Sequence, residues 1–65
     1  MITVNGDPLD WREGMTVQDV LDARQFTFRM IGVWVNDIPV PKGDFASFLV
    51  PDGSKVEAIH MVSGG

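Results

Sequence analysis

No cysteine occurs among the 65 residues, so no disulfide can hold this chain together and a single core of side chains has to do so. Ordering a chain costs roughly 1.5 kcal/mol per residue in conformational entropy, which a fold this small recovers only by burying most of its large apolar residues. With 45% hydrophobic residues the chain can do that, but it has material for one domain and no more. The same absence removes thiolate nucleophiles and cysteine-based zinc or iron–sulfur sites. Any sulfur chemistry must therefore take place somewhere other than a side-chain thiol.

The apolar residues fall in two rhythms. Ile2 and Val4 alternate as on one face of a strand, Asn5-Gly6-Asp7-Pro8 supplies turn chemistry, and Leu9 and Trp11 suit the returning strand of a hairpin. The rhythm then changes. Thr16 reads as an N-cap, with Asp19 three residues on in a capping-box position, and Val17, Val20 and Leu21 share one face of a short helix. Arg24 is expected in its last turn, where a cation complements the helix dipole. Gln25 to Met30 reads as a packed connection. In Gly32 to Asn36 the alternation returns, with Val33 and Val35 on one face and Trp34 on the other. Asn36-Asp37 turns into a short segment, Ile38 to Pro41, whose two prolines mark an edge strand. Phe45, Phe48 and Leu49 then suit one irregular or 3₁₀ turn before Pro51-Asp52-Gly53, and Val56 to Val62 reads as a final strand.

The first and last strands carry apolar residues on a common inner face, Ile2 and Val4 in one and Val56 and Ala58 in the other. Pairing them side by side, in parallel, lets the one helix cover both. The fold expected is α+β, a mixed sheet of four to five strands packed on one helix, over residues 1–62. Residues 63–65 are expected to form a flexible C-terminal Gly-Gly tail.

Charge narrows the function. A net charge of −4 and a pI near 4.5 have the wrong sign for neutralising phosphate backbones, so nucleic acid is not expected as a partner. There is no basic segment followed by an apolar stretch of signal-peptide length, nor a run long enough to cross a bilayer, so no membrane role is expected and a cytoplasmic location is. The seven aspartates are scattered without metal-loop spacing, so no metal site is expected; together they read as a solvated acidic surface.

The ending Asp-Gly-Ser-Lys-Val-Glu-Ala-Ile-His-Met-Val-Ser-Gly-Gly, with the opening Asn-Gly turn and Thr-Val-Gln-Asp-Val-Leu at the helix start, resembles the ThiS-type sulfur carriers of thiamine biosynthesis, relatives of the MoaD-type molybdopterin carriers. The resemblance spans essentially the whole chain and implies a ubiquitin-like β-grasp. The family more often has an acidic residue where Ser54 stands and a glycine where Ser63 stands.

The resemblance further implies that a ThiF-type adenylating enzyme, using ATP, activates the carboxylate of Gly65, and that sulfur from a donor enzyme displaces AMP to leave a thiocarboxylate. The acceptor would be a ThiG-type thiazole synthase. The carrier would be a protein co-substrate and not an enzyme, would bind no cofactor of its own, and would be monomeric when free. Gly64 and Ser63 would be read by the partner as the tail enters its site. Apart from any family, a terminal Gly-Gly suits such a task, because without Cβ atoms it can thread a narrow site and leaves the attacked carbonyl uncrowded. Sibling pathways for molybdopterin, amino-acid or tRNA thiolation remain open, as do a ubiquitin-like protein modifier and a non-covalent β-grasp interaction module.

Other residues weigh less. His60 is close to the tail, but a single His is a weak catalyst candidate and it reads as a strand or rim position. Trp34, Ile59 and Met61 face away from the core-facing valines and form a candidate partner-binding surface. Phe26, Phe28, Phe45 and Phe48 read as plugs of a small core.

Overall fold

Each expected rhythm has an element to match it in the computed structural model, which describes residues 1–27 and 30–60. The expectations placed on Phe28, Met61, the boundary after Val62, and Ser63, Gly64 and Gly65 lie outside the described residues. Along the chain come β1 (Ile2–Val4), β2 (Asp7–Leu9), α1 (Val17–Ala23), β3 (Ile31–Val35), β4 (Ile38–Val40), a 3₁₀ turn (Lys42–Asp44) and β5 (Lys55–His60). The five strands form one sheet in the order β2-β1-β5-β3-β4, with β5 parallel to β1 and antiparallel to β3. This mixed sheet with one helix is the β-grasp arrangement.

Val56 sits at the centre. Val4 of β1 pairs with it on one side and Val35 of β3 on the other, and all three are almost fully buried. Val17, Val20 and Leu21 of α1 join them in the core, together with Ile2, Val33, Val40, Phe45 and Ala58. Phe26 and Phe48 are half-buried against that cluster, as plugs of a small core would be. Leu49, which shares the helical spacing of Phe45 and Phe48, is instead 63% exposed.

The helix is seven residues long, far too short to persist in isolation, and it depends on its ends being satisfied. At its start the Val17 N–H donates to the Phe48 carbonyl, Gln18 to Phe45, Asp19 to the Thr16 hydroxyl and Val20 to the Thr16 carbonyl. The Thr16 N–H donates in turn to the Asp19 carboxylate at 3.0 Å, completing a capping box. Two carbonyls of the irregular segment 45–50, those of Phe45 and Phe48, are thus spent on the helix start. At the other end Gln25 takes φ 57°, its N–H donating to the Asp22 carbonyl and that of Phe26 to Leu21. That is a Schellman ending with glutamine where glycine is usual.

Two sequence expectations are corrected. Trp11 does not belong to the returning strand, which ends at Leu9, the partner of Ile2 where β1 begins. The indole N–H of Trp11 donates instead to the Val50 carbonyl at 2.7 Å, tying the segment after the hairpin to the loop before β5. Arg24 is not in the last turn of α1 but one residue beyond it, at the C-cap, and its guanidinium meets the Asp7 carboxylate at 3.0 Å. It links the helix end to β2.

Candidate functional site

The element that leads to Gly64-Gly65 is β5, so the site is built from what holds β5. On one side β3 accompanies it along its described length, from Val35 opposite Val56 to Ile31 opposite His60. On the other side β1 stops early, its pairing ending with Val4 opposite Val56. Beyond that point the chain turns away through Asn5 and Gly6, at φ 52° and 86°, both left-handed as a two-residue hairpin turn of type I′ requires.

The side chain of Asn5 takes over where the backbone leaves. Its N–H still donates to the Val56 carbonyl at 2.9 Å. Its carboxamide oxygen accepts from the Ala58 N–H at 2.8 Å, and its amide nitrogen donates to the Ala58 carbonyl at 3.0 Å. A primary amide presents the same donor and acceptor as a peptide unit, so Asn5 acts as one further rung of the ladder.

The second hairpin repeats the device at the other end of β5. Asn36 and Asp37 take φ 51° and 69° between β3 and β4. The Asn36 N–H donates to the Lys55 carbonyl, its side-chain oxygen accepts from the Lys55 N–H at 2.9 Å, and its side-chain nitrogen donates to the Ser54 hydroxyl at 3.2 Å. Ser54, 3% exposed, passes its own proton to the Pro51 carbonyl at 2.6 Å. A carboxylate at this position could accept from Asn36 but could not donate to Pro51. Sequence reasoning read both asparagines only as turn residues. What it lacked was any local signal of a bond that spans 53 residues in one case and 19 in the other.

The outer face of the sheet carries Trp34 and Ile59. Trp34 pairs with Glu57 and Ile59 with Gly32, so the two side chains are diagonal neighbours on the face opposite the core. Trp34 is half-buried and Ile59 is 50% exposed. Met61, expected beside them, lies outside the described residues, as do Ser63, Gly64 and Gly65. His60 ends β5 opposite Ile31 and is exposed, a rim position.

The edges of the sheet offer a partner little. In a two-residue hairpin the pair next to the turn is hydrogen-bonded and the following pair is not, so the nitrogen of the middle residue of each edge strand points outward. That residue is Pro8 in β2 and Pro39 in β4. Neither three-residue edge can present an outward N–H from its centre, which disfavours strand addition.

Chemistry on side chains is sparse. A shallow depression lined by Thr3, Asn5, Gly6, Lys55 and Glu57 lies beside the first turn. Its ammonium group pairs with Glu57 at 3.5 Å and with Asp37 at 3.4 Å, and Asp37 chiefly, then Glu57, raises the Lys55 pKa above its usual value. Among the described residues no group of three or more His, Asp or Glu side chains could hold a metal ion. No helix among them is long and apolar enough to cross a membrane.

Comparison with known proteins agrees with this architecture. The sequence model of the ThiS family matches residues 2–65. Proteins named ycf40 from Porphyra purpurea and Pyropia yezoensis are each 33% identical over 64 residues, covering 98% of this chain and 90% of theirs. A thiazole synthase from Paramagnetospirillum magneticum is 31% identical over 98% of this chain, which spans only 20% of that larger protein. Among solved structures, the thiamine biosynthesis protein ThiS from Geobacter metallireducens superposes with a TM-score of 0.75 at 28% identity, covering 98% of this chain and 97% of its own. With the mixed sheet, the single helix and a match that runs through the final Gly-Gly, the chain belongs to the ThiS family of β-grasp sulfur carriers.

Proposed function

We propose that this chain carries sulfur as a thiocarboxylate on Gly65 and delivers it to thiazole formation in thiamine biosynthesis. The observation that carries the reading is the family match extending to residue 65, which takes in the Gly64-Gly65 end of the chain. In the reaction proposed, a carboxylate oxygen of Gly65 attacks the α-phosphorus of ATP on a ThiF-type enzyme and expels pyrophosphate. The acyl adenylate replaces a poor leaving group with a good one. The terminal sulfur of a donor enzyme's persulfide then adds to the carbonyl carbon and AMP leaves. A second thiol reduces the resulting acyl disulfide, breaking its S–S bond and freeing the terminal thiocarboxylate as the donor and reductant thiols form a disulfide.

The partners follow from this chemistry. ATP belongs to the activating enzyme and the carrier holds no cofactor. Similarity to a segment of a thiazole synthase supports a ThiG-type enzyme as the sulfur acceptor. Docking is assigned to the outer face at Trp34 and Ile59, with Met61 two residues further along the sequence, because the prolines at both sheet edges disfavour strand addition and Ile59 is half exposed on that face. Ser63 and Gly64 would be read inside the activating site, where a chain without Cβ atoms fits a narrow channel. The carrier acts as a monomer in solution.

Deleting Gly65 tests the reading. A carrier so shortened supports no AMP-forming turnover with a ThiF-type enzyme and ATP, whereas an interaction module with an inert tail keeps its partner affinity and its biological effect.

A further inference from the structure

The strand that delivers the tail is held asymmetrically. From Lys55 to Val56 it has backbone neighbours on both sides, but beyond Val56 the β1 side is supplied by one side chain, the Asn5 carboxamide on Ala58. Ala58 stands seven residues before Gly65. Remove the carboxamide and the last strand keeps β3 alone from Ala58 onward.

We propose that Asn5 is a positioning residue for the C-terminal tail: by standing in for the missing stretch of β1 it sets the direction in which β5 leaves the sheet, and so how Gly64-Gly65 reaches an activating enzyme docked on the outer face. This rests on the carrier reading above. Three observations support it. Both polar atoms of the side chain are spent on one residue of β5, with donor and acceptor geometry at 3.0 and 2.8 Å. The left-handed turn that places the carboxamide there does not need it, because Gly-Gly serves a type I′ turn as well as Asn-Gly does. The matching clamp of Asn36 grips Lys55, at the end of β5 away from the tail, and provides an internal control.

The two roles separate kinetically. A docked carrier whose strand exit has loosened keeps its docking face, so KM holds, but its tail occupies fewer productive arrangements and kcat falls. A carrier that is only less stable presents less folded protein, which raises the apparent KM and leaves kcat alone.

The experiment is steady-state adenylation of the full chain by a purified ThiF-type enzyme with ATP, comparing wild type, Asn5→Gly and Asn36→Gly, with amide exchange followed in each free protein. Asn5→Gly is expected to lower kcat by about fivefold with KM within about twofold, and to speed exchange at Ala58 while Val33 is unchanged. Asn36→Gly is expected to keep kcat within about twofold of wild type. A fall in kcat for both variants alike, a change for Asn5→Gly confined to KM, or unaltered exchange at Ala58 overturns the positioning role. Should Asn5→Gly fold poorly, Asn5→Asp keeps the left-handed turn and an acceptor for Ala58 but loses the donor, and is held to the same criteria. Wild-type chain that is never adenylated overturns the carrier reading and the role that depends on it; wild type that is adenylated, with Asn5→Gly at the same kcat, overturns the positioning role alone.

Discussion

The two hairpins of this fold are built to one plan and differ in where they hold the central strand. Each has a two-residue left-handed turn opened by asparagine, each asparagine places its side chain on β5, and each outer strand has proline at its middle residue. The first hairpin grips β5 at Ala58, toward the tail; the second grips it at Lys55, where the strand begins and where buried Ser54 is the second partner of the side chain. The hydrogen-bonding chemistry is alike, so the two clamps should contribute similarly to stability. Their positions differ, so only the first bears on where the chain end goes.

That comparison can be broken first at its shared centre. Val56 is flanked by Val4 of one hairpin and Val35 of the other. Truncating it to alanine should therefore loosen both hairpins at once and cost about 2–3 kcal/mol in urea unfolding, through lost burial and the cavity left behind. A loss near zero would mean that the hairpins are not held through this strand.

A smaller effect separates the clamps. Asn36→Gly and Asn5→Gly should each destabilise by about 1–2 kcal/mol, since each removes two hydrogen bonds. Those lost are to the Lys55 N–H and Ser54 hydroxyl in the first case and to the Ala58 N–H and carbonyl in the second. Chemical denaturation should find them within error of each other. A large excess for Asn5 would return its effect on activation to ordinary stability.

Strain offers a third test. The first turn has Gly6 at its second position, but the second turn has Asp37 at φ 69°, a conformation unfavourable to a residue with a Cβ. Asp37→Gly should stabilise by about 0.5–1 kcal/mol, and Gly6→Ala should destabilise by a similar amount. Gln25→Gly at the helix end should gain in the same way, from the same left-handed geometry.

The smallest effect is in pH. Asp37 and Glu57 raise the Lys55 pKa above its reference of 10.5, so the favourable pairing is fully present below that value and is lost as pH rises through the higher folded-state pKa. The alkaline decline in stability should therefore be shallower in Asp37→Gly than in the parent chain. At the acid end the Thr16 backbone N–H, followed by its hydroxyl and by Arg12, lowers the Asp19 pKa below 3.8. The capping box is accordingly intact above that reference and fails as pH falls through the lower folded-state value.

Local chemistry made much of the fold legible. Thr16 with Asp19, Asn5-Gly6, Asn36-Asp37 and the alternation of Val33 and Val35 each state their structure within a few residues, and the parallel pairing of β1 with β5 followed from their common apolar face. Trp11 was misread because alternation continues in the sequence beyond Leu9, where the pairing with β1 has ended and the indole turns to the Val50 carbonyl. The helix end at Gln25 gave no signal, since the glycine that normally marks a left-handed cap is absent. The Asn5 and Asn36 clamps were invisible for a different reason: they join residues far apart in the chain, and asparagine in a turn already has a sufficient local explanation. For the candidate site, Trp34 and Ile59 were correctly placed on one outer face by alternation alone, while the role of Gly65 came from family resemblance and terminal glycine chemistry.

The central claim is that Gly65 becomes a thiocarboxylate, and intact mass measures it most directly. After incubation of the full chain with a ThiF-type enzyme, ATP and a sulfur donor, replacement of one carboxylate oxygen by sulfur should add about 16 Da, and deletion of Gly65 should abolish the gain. An unchanged mass with an activating enzyme that thiocarboxylates its own ThiS in parallel, and that adenylates this chain, would contradict the account.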